Sequence, residues 1–121
     1  MNAGHLHRLV EDAFNAGDTD ALVALYEEDA AMATPDGTFV NGRDAIRGQW
    51  SGFAALGGNI QMTTRYAVIV GGTALLSNDW HFTDAGMELS SRTAEVARRQ
   101  SDGTWKYVID HPYAAADLPG E

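Results

Sequence analysis

The sequence predicts one α+β domain in which helices lie on one side of an antiparallel sheet. Residues 6–26 and 43–53 carry apolar side chains at helical spacing, whereas residues from 60 onward alternate with a period of two, and turn-forming glycines separate the segments. A run of helices followed by a run of strands is typical of α+β domains. The chain has 121 residues, which is the size of one domain. We therefore expect residues 1–121 to form one domain, with a flexible tail over 114–121.

The first half of the chain predicts three helices and a short hairpin. The first helix has one apolar stripe and ends at Gly17, and Asp18 caps a second helix that has Leu22, Leu25 and Tyr26 on one face. A short strand over 30–33, the turn Pro35-Asp36-Gly37 and a return over 38–40 follow. The third helix is expected over about 43–53. The stripe of the first helix consists of Leu6, Leu9, Val10, Ala13 and Phe14.

The second half predicts four long antiparallel strands, over 60–70, about 73–83, about 87–100 and 105–111. The turns between them are Gly71-Gly72, Asp84-Ala85-Gly86 and Asp102-Gly103. Apolar residues occur on both faces of these strands, so one face needs a cover other than the helices. The simplest cover is a second copy of the chain, which predicts a homodimer through the sheet.

Charge and composition exclude several classes of function. Lys and Arg number 8 against 17 Asp and Glu, a formal net charge of −9, which disfavours nucleic acid and membrane-surface partners. A small apolar or neutral molecule is a more compatible ligand. No cysteine is present, which suits a cytoplasmic protein. The four histidines lack metal-ligand spacing and no glycine-rich phosphate loop opens a helix, so we expect neither a metal nor a cofactor.

An opposed pair of carboxylates is the main candidate for chemistry. If Asp102-Gly103 forms a two-residue hairpin loop, Glu95 faces Asp110 across the last two strands. Buried together, one carboxyl of such a pair has a raised pKa and can act as an acid. Two alternatives stay open: the register can be off by one, or Arg99 and Lys106 can neutralise the pair.

Other candidate site residues are two histidines and a set of large apolar side chains. His111 at the end of the last strand is a candidate base or a histidine bonded at a strand end, and His81 shares a face with Asp79, as a site pair or a surface pair. Aromatic and methionine side chains suit the walls of a pocket for an apolar molecule, although core packing explains them equally well. These candidate walls are Met32, Trp50, Trp80 and Phe82.

Several segments resemble one known family. The front half contains Asp18-Thr-Asp-Ala-Leu, Leu25-Tyr-Glu-Glu-Asp-Ala, Pro35-Asp-Gly and Asn41-Gly-Arg-Asp-Ala-Ile, and the rear half contains a closing hairpin over 98–112. This pattern resembles the SnoaL-like and ketosteroid-isomerase-like proteins, of the superfamily named after nuclear transport factor two. The resemblance implies a cone-shaped domain in which a curved sheet wraps around the N-terminal helices and leaves a pocket at its open end. It also implies that dimers are common.

The resemblance does not extend to the catalytic residues of the steroid isomerases. The position of their general-base aspartate is Thr34 here, and that of their oxyanion-hole tyrosine is Val10. Neither side chain can replace its counterpart, because threonine is not a base at neutral pH and valine donates no hydrogen bond. A pocket tyrosine falls at Trp50, and a second carboxylic acid falls near Glu95.

Two functions are compatible with these observations. The first is a cofactor-free proton-transfer enzyme of the isomerase, cyclase or dehydratase type, with Glu95 and Asp110 as acid and base, and His111 or His81 as an auxiliary. The second is a ligand-binding or association module without catalysis, which the substitutions at Thr34 and Val10 favour.

Overall fold

The computed structural model describes residues 3–84 and 86–114, and it shows three helices packed on one side of a curved seven-stranded sheet. A 3₁₀ turn over Ala3–His5 precedes the first helix. The helices are α1 (Leu6–Asn15), α2 (Thr19–Val23) and α3 (Arg43–Ala54). The strands are β1 (Tyr26–Ala33), β2 (Phe39–Asn41), β3 (Asn59–Val70), β4 (Thr73–Asp84), β5 (Met87–Arg92), β6 (Ala94–Arg99) and β7 (Trp105–His111).

The sheet has the strand order β2-β1-β7-β6-β4-β3, and β5 pairs with β4 beside β6. The predicted α+β class is confirmed, but the sheet is mixed rather than purely antiparallel because β1 pairs with β7 in parallel. The physical reason is the connection: α3 and five strands separate β1 from β7 in the chain, which is ample length for the crossover that a parallel pair needs.

Helix α1 fills the concave side of the sheet. Its predicted apolar stripe is buried except for Leu9, which is half-buried, and His7 is buried beside it. Two polar residues of α1 bond the backbone of the edge strand β3: the Asn15 amide exchanges two hydrogen bonds with Ile60, and Glu11 accepts from an N–H of β3. These bonds satisfy backbone groups of an edge strand that would otherwise lack partners.

The second helix is shorter than predicted. The Asp18 cap is confirmed, because its Oδ1 accepts a 3.0 Å hydrogen bond from the Ala21 N–H. The helix nevertheless ends at Val23, and Tyr26 begins β1, which extends four residues further toward the N-terminus than the expected strand over 30–33. Tertiary packing explains the difference, since Tyr26 is fully buried and pairs with Tyr107 of β7.

The expected strand over 87–100 is divided at Thr93 into β5 and β6. The Thr93 hydroxyl accepts from the Asn78 N–H at 2.9 Å, and the Thr93 carbonyl accepts from the Ser77 hydroxyl at 2.6 Å. These bonds to β4 replace a regular ladder at one residue. As a result β4 pairs with β6 over Thr73–Leu76 and with β5 over Asp79–Asp84, and the sheet changes partner strand at that point.

The last hairpin differs from the prediction in two ways that cancel. Its loop has three residues rather than two, because a 2.7 Å backbone hydrogen bond from Gln100 to Thr104 closes it. Arg98 therefore faces Lys106, where a two-residue loop would place Tyr107. A bulge between the Val96 and Ala97 positions of β6 then leaves one extra residue in β7. The bulge restores the predicted register beyond it, so Glu95 does face Asp110.

Within the described ranges, no helix is both long and apolar enough to cross a membrane. The predicted flexible tail lies outside the described residues, apart from Ala114.

Candidate active site

A cavity lies between α1, α3 and the concave face of the sheet. Its volume, for the centre of a water-sized sphere, is about 40 Å³, which is room for about three water molecules or one compact organic group. Most of the lining is aromatic or aliphatic, and two carboxylic residues, Glu95 and Asp110, contribute the acidic groups. The lining residues are Val10, Tyr26, Met32, Gln49, Trp50, Phe53, Ile60, Met62, Trp80, Thr93, Glu95, Asp110, Pro112 and Tyr113.

Glu95 is held by two hydrogen bonds to the same oxygen. Its Oε1 lies 2.8 Å from His7 Nε2, and it accepts from the Thr93 hydroxyl at 2.8 Å. The other ring nitrogen of His7 lies 2.9 Å from the Thr64 hydroxyl, so both nitrogens of this buried ring have partners. The bonds to Oε1 fix the orientation of the carboxylate and leave Oε2 outside this network.

Asp110 has one bonded and one unbonded oxygen. Tyr26 donates a 2.6 Å hydrogen bond to Oδ2, and the Trp50 indole donates in turn to the Tyr26 hydroxyl at 3.1 Å. Oδ1 is buried and has no hydrogen-bond partner among the described residues. Burial, and then the negative charge of Glu95, raise the pKa of Asp110 to about 8, against the smaller opposite effect of the Tyr26 bond. The raised pKa favours the protonated form of Asp110 at neutral pH, and Oδ1 makes no other bond that competes for the proton.

A second tyrosine adds another neutral donor. The Tyr107 hydroxyl is buried and has no hydrogen-bond partner among the described residues, and its ring centroid lies 5.2 Å from that of Tyr26. Burial and the carboxyls of Glu95 and Asp110 raise the pKa of Tyr107 well above its usual value. Its phenol therefore keeps its proton near the acidic pair.

The predicted pocket walls separate into two groups. Met32, Trp50 and Trp80 line the cavity. Phe82 does not line it, because its fully buried ring packs edge-on against Phe53, with 4.8 Å between centroids, and also contacts Phe14. Phe82 is a core residue because β4 places it one inward position beyond Trp80, under the end of α3.

Neither predicted auxiliary histidine lines the cavity. The Nε2 atom of His81 lies 3.1 Å from a carboxylate oxygen of Glu88 on the outer face, while Asp79, its predicted partner, pairs with Arg92 at 2.8 Å. His111 packs edge-on against Phe39 and accepts a 3.3 Å hydrogen bond from the Tyr113 N–H. The side-chain alternation that puts Asp110 inside puts the next residue outside.

Among the site residues that the sequence analysis missed, His7 and Tyr26 are two that hold the carboxyl groups. His7 was set aside because it forms no metal pair with His5, yet it is in helical phase with Val10 and Phe14 and so lies on the buried face of α1. The sequence signal that could have identified His7 is the presence of a polar residue within the apolar stripe of α1. Tyr26 was assigned to a helix, which concealed its contact with Asp110. Among the residues described here, no group of three metal-ligating side chains comes together.

Comparison with known proteins supports the fold. A model of the SnoaL-like domain family matches residues 6–108. An NTF2-like protein of unknown function from Shewanella oneidensis is 20% identical, with a TM-score of 0.78 over 88% of this chain and 92% of that chain. An NTF2-like protein from Streptomyces avermitilis, provisionally named a dehydratase, is 19% identical, with a TM-score of 0.72 over 89% and 90%.

A protein from Shewanella frigidimarina that is provisionally named a ketosteroid isomerase is 17% identical, with a TM-score of 0.75 over 90% of this chain and 92% of that chain. No curated protein is significantly similar to the chain. At these identities the structural likeness concerns the fold, whose cone shape these proteins share. The family model extends over most of the sequence, including the helices and all but the end of the closing hairpin, and the chain therefore belongs to the SnoaL-like domain family.

Proposed function

We propose that the protein is a cofactor-free enzyme that transfers protons on a compact, uncharged, mostly apolar molecule, in a reaction of the isomerase, cyclase or dehydratase type. One observation carries this proposal: Glu95 and Asp110 face each other at one cavity with different surroundings. When two carboxyl groups have different surroundings, one can keep its proton while the other is ionised, and the two can then act as acid and base.

The hydrogen bonds support a different role for each carboxyl. Oε1 of Glu95 is occupied by His7 and Thr93, so Oε2 is the atom that takes a proton from a carbon of the substrate. Oδ1 of Asp110 is unbonded and donates its proton to a substrate oxygen. One proton leaves the substrate and one enters it, so the substrate keeps its charge. His7 and Tyr26 are positioning residues, since each holds one carboxyl by a hydrogen bond.

The lining supports an uncharged substrate. No Lys or Arg is among the lining residues, so a carboxylate or phosphate group would have no counter-charge at the site. The site also differs from that of the steroid isomerases, as the sequence indicated. Val10 lines the cavity and offers no donor, and the Thr34 hydroxyl bonds Asp36 and Thr38 in the turn after β1.

Solvent deuterium exchange tests the proposal without knowledge of the product. The protein is incubated in D₂O with small uncharged carbonyl compounds (cyclopentanone, 2-cyclohexenone and hydroxyacetone), and exchange of C–H hydrogens is followed by NMR. We expect exchange above the buffer rate, lowered about 10²-fold or more in Glu95→Gln and Asp110→Asn. Glu28→Gln, an exposed carboxylate of β1, is the matched control and keeps the wild-type rate. An exchange rate and pH profile unchanged in both site variants would disprove the assignment.

A binding module without catalysis is the second candidate, and the small volume of the cavity favours it. About 40 Å³ leaves little room for a substrate to change shape during a reaction. This candidate predicts that ligands bind and are recovered unchanged, with no exchange in the wild type.

We also propose a homodimer through the outer face of the sheet. The strand registers align the side chains of one outward row directly across five strands, and every member is apolar. Val68, Leu75 and Ile109 of this row are 51%, 45% and 42% exposed. At the usual strand spacing the row is roughly 19 Å long. The outer row consists of Val68, Leu75, Val96, Ile109 and Ala31.

A second copy suits the outer row because the row is straight, uninterrupted and apolar, so two rows can pack face to face about a two-fold axis. Beside the outer row, Arg98 of β6 and Lys106 of β7 form an outward-facing pair. Glu27 of β1 lies 3.4 Å from Arg98. A border with charges of both signs lets the same surface meet itself without net repulsion.

A further inference from the structure

Buried polar atoms without a partner are rare in folded proteins, and each one has a physical reason. In the described residues, the side chain of Asn78 has two: both Nδ2 and Oδ1 are buried and neither makes a hydrogen bond. The residue itself is completely inaccessible. Burying both polar atoms of a primary amide without any hydrogen bond is costly, because the amide loses its bonds to water and gains none in return. Asn78 is therefore unfavourable for stability alone.

The surroundings of Asn78 are the polar groups that hold Glu95. The backbone N–H of Asn78 donates to the Thr93 hydroxyl at 2.9 Å, and that hydroxyl donates to Glu95 Oε1 at 2.8 Å. On the other side, Asn78 faces Thr64 across β3 and β4, and the Thr64 hydroxyl lies 2.9 Å from His7. Since His7 bonds Glu95, the chain of contacts closes into a ring. The side chain of Asn78 is the one polar group of this ring without a bond.

Asn78 is not a lining residue of the cavity, and the register places it directly behind residues that are. Inward positions of β4 alternate, so Asn78 follows Trp80 on the concave face. The pair directly above it, Met62 and Trp80, lines the cavity, and so do Thr93 and Glu95. A polar group of a ligand reaches the amide by passing between Met62 and Trp80, the two lining residues in front of it.

We propose that Asn78 is a ligand-binding residue: a ligand that enters between Met62 and Trp80 places a hydroxyl group against its amide. The inference rests on the proposed site but not on catalysis, because a binding module would use the same anchor. A hydroxyl is the chemical match: it accepts from Nδ2 and donates to Oδ1, which satisfies both amide atoms with one group. A charged ligand group is a poorer match, since the amide carries no counter-charge.

NMR binding measurements on the whole chain test the anchor with two probes of similar shape, cyclopentanol and cyclopentane. In the wild type we expect cyclopentanol, and not cyclopentane, to shift the side-chain NH₂ signals of Asn78. In Asn78→Leu we expect cyclopentanol to bind at least about tenfold more weakly, as for a lost buried hydrogen bond, while cyclopentane binds no more weakly than in wild type. Thr73→Val, at an exposed position of the same strand, is the matched control and leaves both affinities unchanged.

The wild-type measurement keeps the proposal testable if Asn78→Leu does not fold. Equal shifts from the two probes, or no shift of the Asn78 signals at the solubility limit of cyclopentanol, overturn the proposal. Persistent water-to-amide cross-relaxation at saturating cyclopentanol also overturns it, because the amide then holds an internal water only. If Glu95→Gln loses deuterium exchange but still binds cyclopentanol, the result concerns catalysis only, and the proposed role of Asn78 is retained.

Discussion

At the residue scale, the site brings together groups that stability alone would separate. Glu95 and Asp110 are buried directly opposite each other, and no Lys or Arg of the described residues forms an ion pair with either. Like charges in such a pair destabilise a sheet. The structure limits the cost by protonating Asp110 and by giving Glu95 two hydrogen bonds, so the acidic proton at the cavity is a consequence of packing.

The stability of the protein is expected to depend on pH through Asp110. In the unfolded chain this carboxyl ionises near 3.8, whereas in the folded protein its pKa is about 8. Between these values folding takes up a proton, so the free energy of unfolding falls as pH rises, by at most about 1.4 kcal/mol per pH unit. Asp110→Asn removes this contribution. Urea unfolding of both proteins from pH 5 to 9 measures it.

The expected result is a difference in unfolding free energy, wild type minus Asp110→Asn, that decreases from pH 5 to 8 and then levels. In a Glu95→Gln background the decrease ends at a lower pH, because the charge that helps to raise the Asp110 pKa is gone. Parallel curves for wild type and Asp110→Asn would show that Asp110 ionises normally in the folded protein.

At the element scale, two close approaches position the cavity. Helix α1 contacts the sheet closely enough for His7 to bond Glu95 and for Asn15 to bond Ile60. After α3, the chain passes Gly58 against β4, where a Cβ would overlap the Thr83 carbonyl and lie 2.5 Å from the Phe82 ring. This contact sets the distance between α3, which carries Trp50, and the strand that carries Trp80.

Gly58→Ala is expected to destabilise the protein by about 1–3 kcal/mol, because the added methyl must displace a fully buried ring. Gly52→Ala in α3 is the matched control: a Cβ there meets nothing within 4 Å, and the gain in helix propensity is expected to stabilise by about 0.5–1 kcal/mol. Urea unfolding distinguishes the two. Equal effects of the two substitutions would contradict the close packing at Gly58.

At the scale of the whole molecule, the curved sheet uses its two faces differently. The concave face forms the core and the cavity with the helices, whereas the convex face carries the outer row of apolar side chains. The net charge of −9 keeps copies apart in general. Association therefore requires a surface like the outer row, where apolar burial exceeds the repulsion.

Leu75→Glu places a charge at the centre of the outer row and is expected to convert a dimer into a monomer with unchanged far-UV circular dichroism. Light scattering coupled to size exclusion measures the mass. Leu89→Glu, an exposed leucine of β5 outside the row, is the matched control and is expected to stay dimeric. A wild-type protein that is monomeric at every concentration, or a dimeric Leu75→Glu, would disprove the proposed interface.

The sequence by itself determined the element types, the α+β class, the family and the opposition of Glu95 and Asp110. Helical and two-residue periodicities are local properties, and they were sufficient for α1, α3, β3, β4 and β7. The predicted pairing of Glu95 with Asp110 is correct, although it assumed a two-residue loop. The three-residue loop and the bulge in the last hairpin shift the register in opposite directions, so their effects cancel at this pair. A loop length and a bulge depend on packing, which periodicity does not record.

The tertiary structure alone decided which residues share the site. His7 and Glu95 are 88 residues apart in the chain and Tyr26 and Asp110 are 84 apart, so no local pattern connects either pair. The protonation of Asp110 depends on burial and on the charge of Glu95, both of which exist only in the folded protein. Asn78 looks like an ordinary polar residue within a strand, and only the arrangement of β3, β4 and Thr93 around it leaves its amide without a partner.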